Sequence, residues 1–154
     1  LEVLEGAVRA NAAQFDRVVQ KVRAACRGVL HARRIAVWGL TFKANTNDLR
    51  DSPALEVIGR LLAQGAHVVA FDPAVTPAQV GFDQGVTVVS SALDAVTGCD
   101  VLALLTEWDE FRLVDPASVS EVTASRQVVD GRNLLERARW EQAGFCVTGI
   151  GRSQ

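Results

Sequence analysis

The chain has 154 residues, 49% of them apolar and 22% charged, with a formal charge of −2 at neutral pH. That size and composition suit one domain with a real core, and the small net charge gives no general attraction for nucleic acid or anionic lipid, so basic residues matter only where they converge. No apolar stretch approaches the roughly 20 residues that span a bilayer, and no charged start followed by an apolar segment suggests an export signal, so no membrane association and a cytoplasmic location are expected.

From Leu4 to Cys26, the residues Leu4, Val8, Ala12, Phe15, Val19, Val22 and Cys26 recur at steps of three or four, which predicts one long amphipathic helix. Arg9, Asp16, Arg17, Lys21 and Arg23 lie on its other face, and Gly28 marks its stop. Such a stripe serves either the helix's own domain or a dimer or interdomain contact, and the pattern leaves both open. Ile35–Leu40 reads as a strand. Ser52 as N-cap and Pro53 at the first helical position then open a helix to Gln64, closed by Gly65.

A strand at His67–Phe71 leads into Asp72-Pro73, which opens a loop through Thr76-Pro77 and Gly81 to Gly85; Val86–Val89 is the next strand. Ser91 starts a brief helix. The continuous apolar run Val101–Leu105 reads as a strand buried on both faces, which implies a parallel sheet. Asp115-Pro116 caps a helix, Gln127–Val129 forms a strand, Leu134–Gln142 a helix stopped by Gly144, and Phe145–Thr148 a last strand. The alternation predicts an α/β fold with a doubly wound, mostly parallel sheet of Rossmann-like type, preceded by the long helix. Cys26, Cys99 and Cys146 lack metal-ligand spacing and sit in apolar settings, so they read as buried reduced thiols, with no metal site. With no Met and Leu1 at its head, the chain reads as a fragment of a longer protein.

About a dozen residues separate the first strand from its helix, where about 2–6 are usual, and long loops at the carboxyl ends of parallel strands are where such sheets place ligands. This loop carries Phe42, Lys43, Asn45, Asn47, Asp48 and Arg50. Thr106-Glu107-Trp108 and Asp130-Gly131-Arg132-Asn133 follow other strands to the same edge. Lys43 and Arg132, at the tips of different strands, suit nucleotide phosphates, and Phe42 offers a face to a base, although a Phe is more often core. A G-x-G-x-x-G turn is missing, with only Gly39 in place, so NAD should not bind here in the Rossmann manner. Asp72 is then most simply an Asp-Pro turn. His31 and His67 fall at element boundaries and read as structural.

Taken in order, Gly39-Leu40-Thr41-Phe42-Lys43, Thr46-Asn47-Asp48-Leu49-Arg50-Asp51-Ser52-Pro53, Phe71-Asp72-Pro73, Thr106-Glu107-Trp108-Asp109-Glu110-Phe111, Asp130-Gly131-Arg132-Asn133 and Gly149-Ile150-Gly151-Arg152 resemble the C-terminal domain of the UDP-glucose/GDP-mannose dehydrogenase family. Asn11 and Gln14 resemble the end of that family's central linker helix. The Thr-Glu-Trp and Asp-Gly-Arg-Asn runs favour the UDP-glucose branch.

The resemblance implies a linker and dimerisation helix over residues 1–28 and a UDP-sugar-binding domain over 29–154. It implies a parent enzyme that oxidises the C6 alcohol of a UDP-hexose to a carboxylate by two hydride transfers to NAD, through a cysteine thioester. The family's NAD-binding domain and its cysteine-bearing Gly-rich run have no counterpart here, so no catalytic residue is expected in this chain. By the same resemblance Phe42, Lys43 and Arg132 contact the UDP-sugar, Arg50 reaches the NAD, and the linker helix builds a homodimer. A dehydrogenase of another nucleotide sugar, such as UDP-N-acetylmannosamine or GDP-mannose, is one alternative. A non-catalytic nucleotide-binding regulatory domain, including a receiver-like module, is another.

Overall fold

Short runs of β-branched and apolar residues build the centre of the molecule, and their registers set the level at which each loop leaves it. The computed structural model describes residues 2–77 and 85–151, with side chains from residue 11 onward. In chain order the elements are α1 (Glu2–Ala25), β1 (Arg34–Trp38), α2 (Pro53–Ala63), β2 (His67–Phe71), β3 (Val86–Val88), α3 (Ala92–Val96) and β4 (Val101–Leu104). A 3₁₀ turn (Asp109–Leu113), α4 (Pro116–Val122), β5 (Gln127–Asp130), α5 (Arg137–Gln142) and β6 (Cys146–Gly149) complete them. The six strands form one parallel sheet in the order β3-β2-β1-β4-β5-β6. The chain order reverses between β1 and β4, the switch point at which doubly wound sheets open a crevice. A receiver-like module would run 2-1-3-4-5, so that alternative is set aside.

Trp38 pairs with both Phe71 and Leu104, and Leu104 pairs with Asp130. Gly39, Asp72, Leu105 and Gly131 therefore leave the sheet at one level, which gathers the predicted site loops on one edge. Side chains alternate between faces. Ile35, Val37, Val68, Val101 and Val129 pack beneath α1 and α2 in an aliphatic core. Trp38, Phe71, Leu104 and Val128 enter a second core with α3, α4 and α5, where Trp38 stacks on Phe111 at 5.2 Å and meets Trp140 edge-on at 6.0 Å.

The second half of α1 belongs to the first of these cores. Val18, Val19, Val22 and Cys26 are buried there, and α1 packs against β4 and β5 while α2 packs against β2. Arg60 of α2 clasps it, pairing with Asp16 and placing its guanidinium 5.4 Å from the centre of the Phe15 ring. For this stretch, the stripe therefore serves the helix's own domain.

Three local expectations change. Ser52 precedes α2, but its hydroxyl donates to the Leu40 carbonyl at 2.7 Å instead of capping the helix, so it closes the long loop. The helix expected from Leu134 begins at Arg137, because the Asp130 carboxylate accepts the Leu135 amide at 2.7 Å and Asn133 is left-handed, with φ 53°. Cys146 is exposed at the start of edge strand β6, whereas Cys26 and Cys99 are buried; burial pushes the Cys99 thiol up to about 12. The predicted loop residue Gly81 and the motif residue Arg152 lie outside the described residues.

Candidate functional site

The long loop after β1 is anchored by one buried carboxylate. Asp72, at the end of β2, accepts the Leu40 amide at 2.8 Å and the Thr41 amide at 3.0 Å on Oδ2, while Oδ1 accepts the Ala74 amide at 2.8 Å. Trp108 Nε1 donates to the same Oδ2 at 3.2 Å, and the Thr41 hydroxyl lies 3.1 Å from it. The Asp-Pro turn expected here is present, with the Val75 amide 3.2 Å from the Asp72 carbonyl, but the residue does more than close it. It is the hub that turns the chain away from the sheet, and three backbone amides with two side chains compensate its burial.

Thr106, after β4, donates its hydroxyl to the Thr41 carbonyl at 2.9 Å. The approach of these two loops requires glycine at 39: φ is 102°, and a Cβ there would lie 2.4 Å from both Thr106 Cβ and the Thr106 amide nitrogen. Sequence reading found Gly39 and the loop but missed the roles of Thr41, Thr106 and Trp108, because their partners are 31 to 67 residues away.

Beyond this root the loop carries its charge in the open. The Phe42 amide donates to the Asp48 carbonyl at 2.8 Å, and left-handed Asn45 (φ 61°) turns the chain between them. Phe42 itself is 50% exposed, so its ring faces solvent and stays out of the core. Lys43 is exposed beside it. Arg50 grips Asp48 with Nε at 3.0 Å and Nη2 at 3.2 Å, and these hydrogen bonds hold the Asp48 carboxyl below the usual carboxylate range.

Arg132 leaves β5 at the same edge, its amide donating to the buried Asp130 carboxylate at 3.1 Å. Its Nε and Nη2 each donate to Glu107 at 3.0 Å. A cleft lined by Phe15, Val18, Pro53, Val57, Leu105 and Arg132 opens beside it, so α1 forms part of its wall. A separate groove with Cys26, Arg33, Asp100 and Ser125 lies at the opposite, amino edge of the sheet and includes none of the predicted site residues.

An NAD pyrophosphate has no glycine-rich cradle at this switch point. The position where a Rossmann site places its ribose carboxylate holds Asp72, whose oxygens already accept loop amides, so the residues present do not fit the dinucleotide in that manner.

Residues 36–137 match the UDP-binding domain of the UDP-glucose/GDP-mannose dehydrogenase family. The chain belongs to that family. It is similar to the UDP-glucose 6-dehydrogenase of Pseudomonas aeruginosa, with 34% identity over 157 aligned positions, covering 98% of this chain and 35% of the relative. Among solved structures it resembles a UDP-glucose dehydrogenase from Pyrobaculum islandicum, with TM-score 0.79 and 27% identity, over 97% of this chain and 32% of the other. It also resembles a UDP-D-ManNAc dehydrogenase from Pyrococcus horikoshii, with TM-score 0.70 and 26% identity, over 94% and 31%. The chain spans about a third of the length of the relatives it matches. The family and the parallel α/β fold expected from the sequence both hold.

Proposed function

We propose that this chain is the nucleotide-sugar-binding domain of an NAD-dependent UDP-glucose 6-dehydrogenase, and that hydride transfer and the cysteine nucleophile come from parts outside it. The supporting observation is the position of the exposed Phe42–Lys43 tip, held by a buried root at the switch point of a UDP-binding-domain fold, on the same edge as Arg132. Lys43 supplies a point charge and Arg132 a planar donor set for the phosphates, while Phe42 offers an apolar face to the base or sugar. Arg50, farther along the loop, faces the cofactor. Homodimerisation through α1 belongs to the same reading, carried by the part of the helix ahead of its buried stretch.

The chain alone should yield no NADH from UDP-glucose and NAD, and turnover proportional to its concentration would refute that division of labour. NMR titration of the chain with UDP and with GDP tests the site itself. UDP should shift resonances around Phe42 and Arg132 more strongly than GDP, and Lys43→Ala or Arg132→Ala should each weaken the response. In the complete enzyme, Arg132→Ala should raise the KM for UDP-glucose and Arg50→Ala that for NAD; the reverse pattern would exchange the two roles. The sugar is tested by comparing UDP-glucose with UDP-N-acetylmannosamine, the substrate for which the Pyrococcus horikoshii dehydrogenase is named.

A further inference from the structure

We propose that Glu107 is a positioning residue for Arg132, holding the guanidinium from one side so that its other edge is presented to a phosphate of the nucleotide. The inference rests on the reading of Arg132 as a nucleotide contact. A guanidinium has five N–H donors. Glu107 takes one from Nε and one from Nη2, each at 3.0 Å, and Nη1 bonds no described residue. The bond to Glu107 thus occupies the side of the fork and leaves its end open for a second bidentate partner.

Both ends of this bond are fixed from below. Thr106, immediately before Glu107, is buried and bonded to Thr41, so the Asp72 hub locates the glutamate. Arg132 is held by its own amide on Asp130 and by the Gly131 amide on the Leu104 carbonyl at 2.9 Å. The side chains are about equally open, 43% exposed for Arg132 and 40% for Glu107, so neither is held by packing alone. An arginine this open loses rotamer freedom when a ligand orders it. Holding it in place beforehand should improve affinity by roughly two- to tenfold, the range set by immobilising one long side chain.

A glutamate beside a phosphate site also has an opposing effect, because its charge partly cancels that of Arg132. If this effect won, removing the charge would tighten binding. Glu107→Gln separates the two, since an amide presents one acceptor and one donor and cannot hold both N–H groups. UDP affinity of the chain is read by NMR titration at fixed ionic strength, in the parent and in an Arg132→Lys background. The ammonium of the second background has no planar fork to orient.

Glu107→Gln should weaken UDP binding two- to tenfold in the parent and should leave it equal or tighter with Arg132→Lys. Without ligand, it should also speed exchange of the Arg132 Nε–H relative to the parent, while circular dichroism shows the fold retained. Unchanged or tighter binding in the parent, or an equal loss in both backgrounds, overturns the positioning role. If instead the parent's UDP response is absent or indifferent to Arg132→Ala, the site reading itself fails, and this inference fails with it.

Discussion

At the root of the loop after β1, Thr41, Ser52 and Asp72 are at most 2% exposed, whereas at its tip Phe42 is 50% exposed and the Arg50 side chain 90%. The root is a closed set of hydrogen bonds from three separate strand ends. The tip carries the charge and the aromatic ring, held mainly by its own backbone. The difference shows how a long loop can be rigid where it leaves the sheet and still present its side chains to solvent, since the root holds the backbone, as the Thr41 hydroxyl does 3.0 Å from the Lys43 carbonyl, and leaves the side chains of the tip exposed.

Root and tip should respond differently to mutation. Asp72→Ala has the largest expected effect, because it leaves the amides of Leu40, Thr41 and Ala74 without their acceptor and takes one of two acceptors from the Trp108 indole; a loss of about 3 kcal/mol or more is expected, measured by urea unfolding. A loss below about 1 kcal/mol would mean that water replaces the carboxylate and the root is not closed. Gly39→Ala comes next, at about 2 kcal/mol, since its Cβ meets Thr106 backbone at a left-handed position. Phe42→Ala, Lys43→Ala and Arg50→Ala should each stay within about 0.5 kcal/mol of the parent, and a larger loss would show that the tip is structural.

The thiols sharpen the same contrast between buried and exposed groups. Cys146 should react with a thiol reagent in the folded chain while Cys26 and Cys99 stay protected until unfolding, read by mass spectrometry. The folded Cys99 pKa lies above its ordinary value, so its contribution to stability is fully present below about pH 9 and is lost as pH rises toward about 12. Chemical unfolding across that range should show a decline, and a Cys99→Ala variant should show less of it. At neutral pH the thiol's titration has almost no effect.

The sheet was legible because each strand is a short apolar run bounded by turn residues, and Val101–Leu105 announced burial on both faces. The placement of Phe42, Lys43 and Arg132 on one edge followed from parallel topology. Only the local half of Asp72's role was legible: the turn that binds the Ala74 amide is written in Asp-Pro, while the bonds from Leu40, Thr41 and Trp108 reach it only after the sheet assembles. Glu107 escaped for the same reason: nothing beside it in sequence signals a partner 25 residues away. Cys146 has apolar neighbours, yet alternation along an edge strand turns it outward. The stripe of α1 was plain, but periodicity alone does not say whose surface covers it.

At 24 residues, α1 is about 36 Å long, and no glycine or proline interrupts it between Asn11 and Ala25. Its buried half is clamped by Arg60, and Phe15 and Val18 on the same rod line the cleft beside Arg132. Mechanically it is a lever with one arm set in the aliphatic core. A tilt imposed at Asn11 arrives at the wall of that cleft through a stretch free of glycine and proline, while Gly6 lies ahead of that stretch.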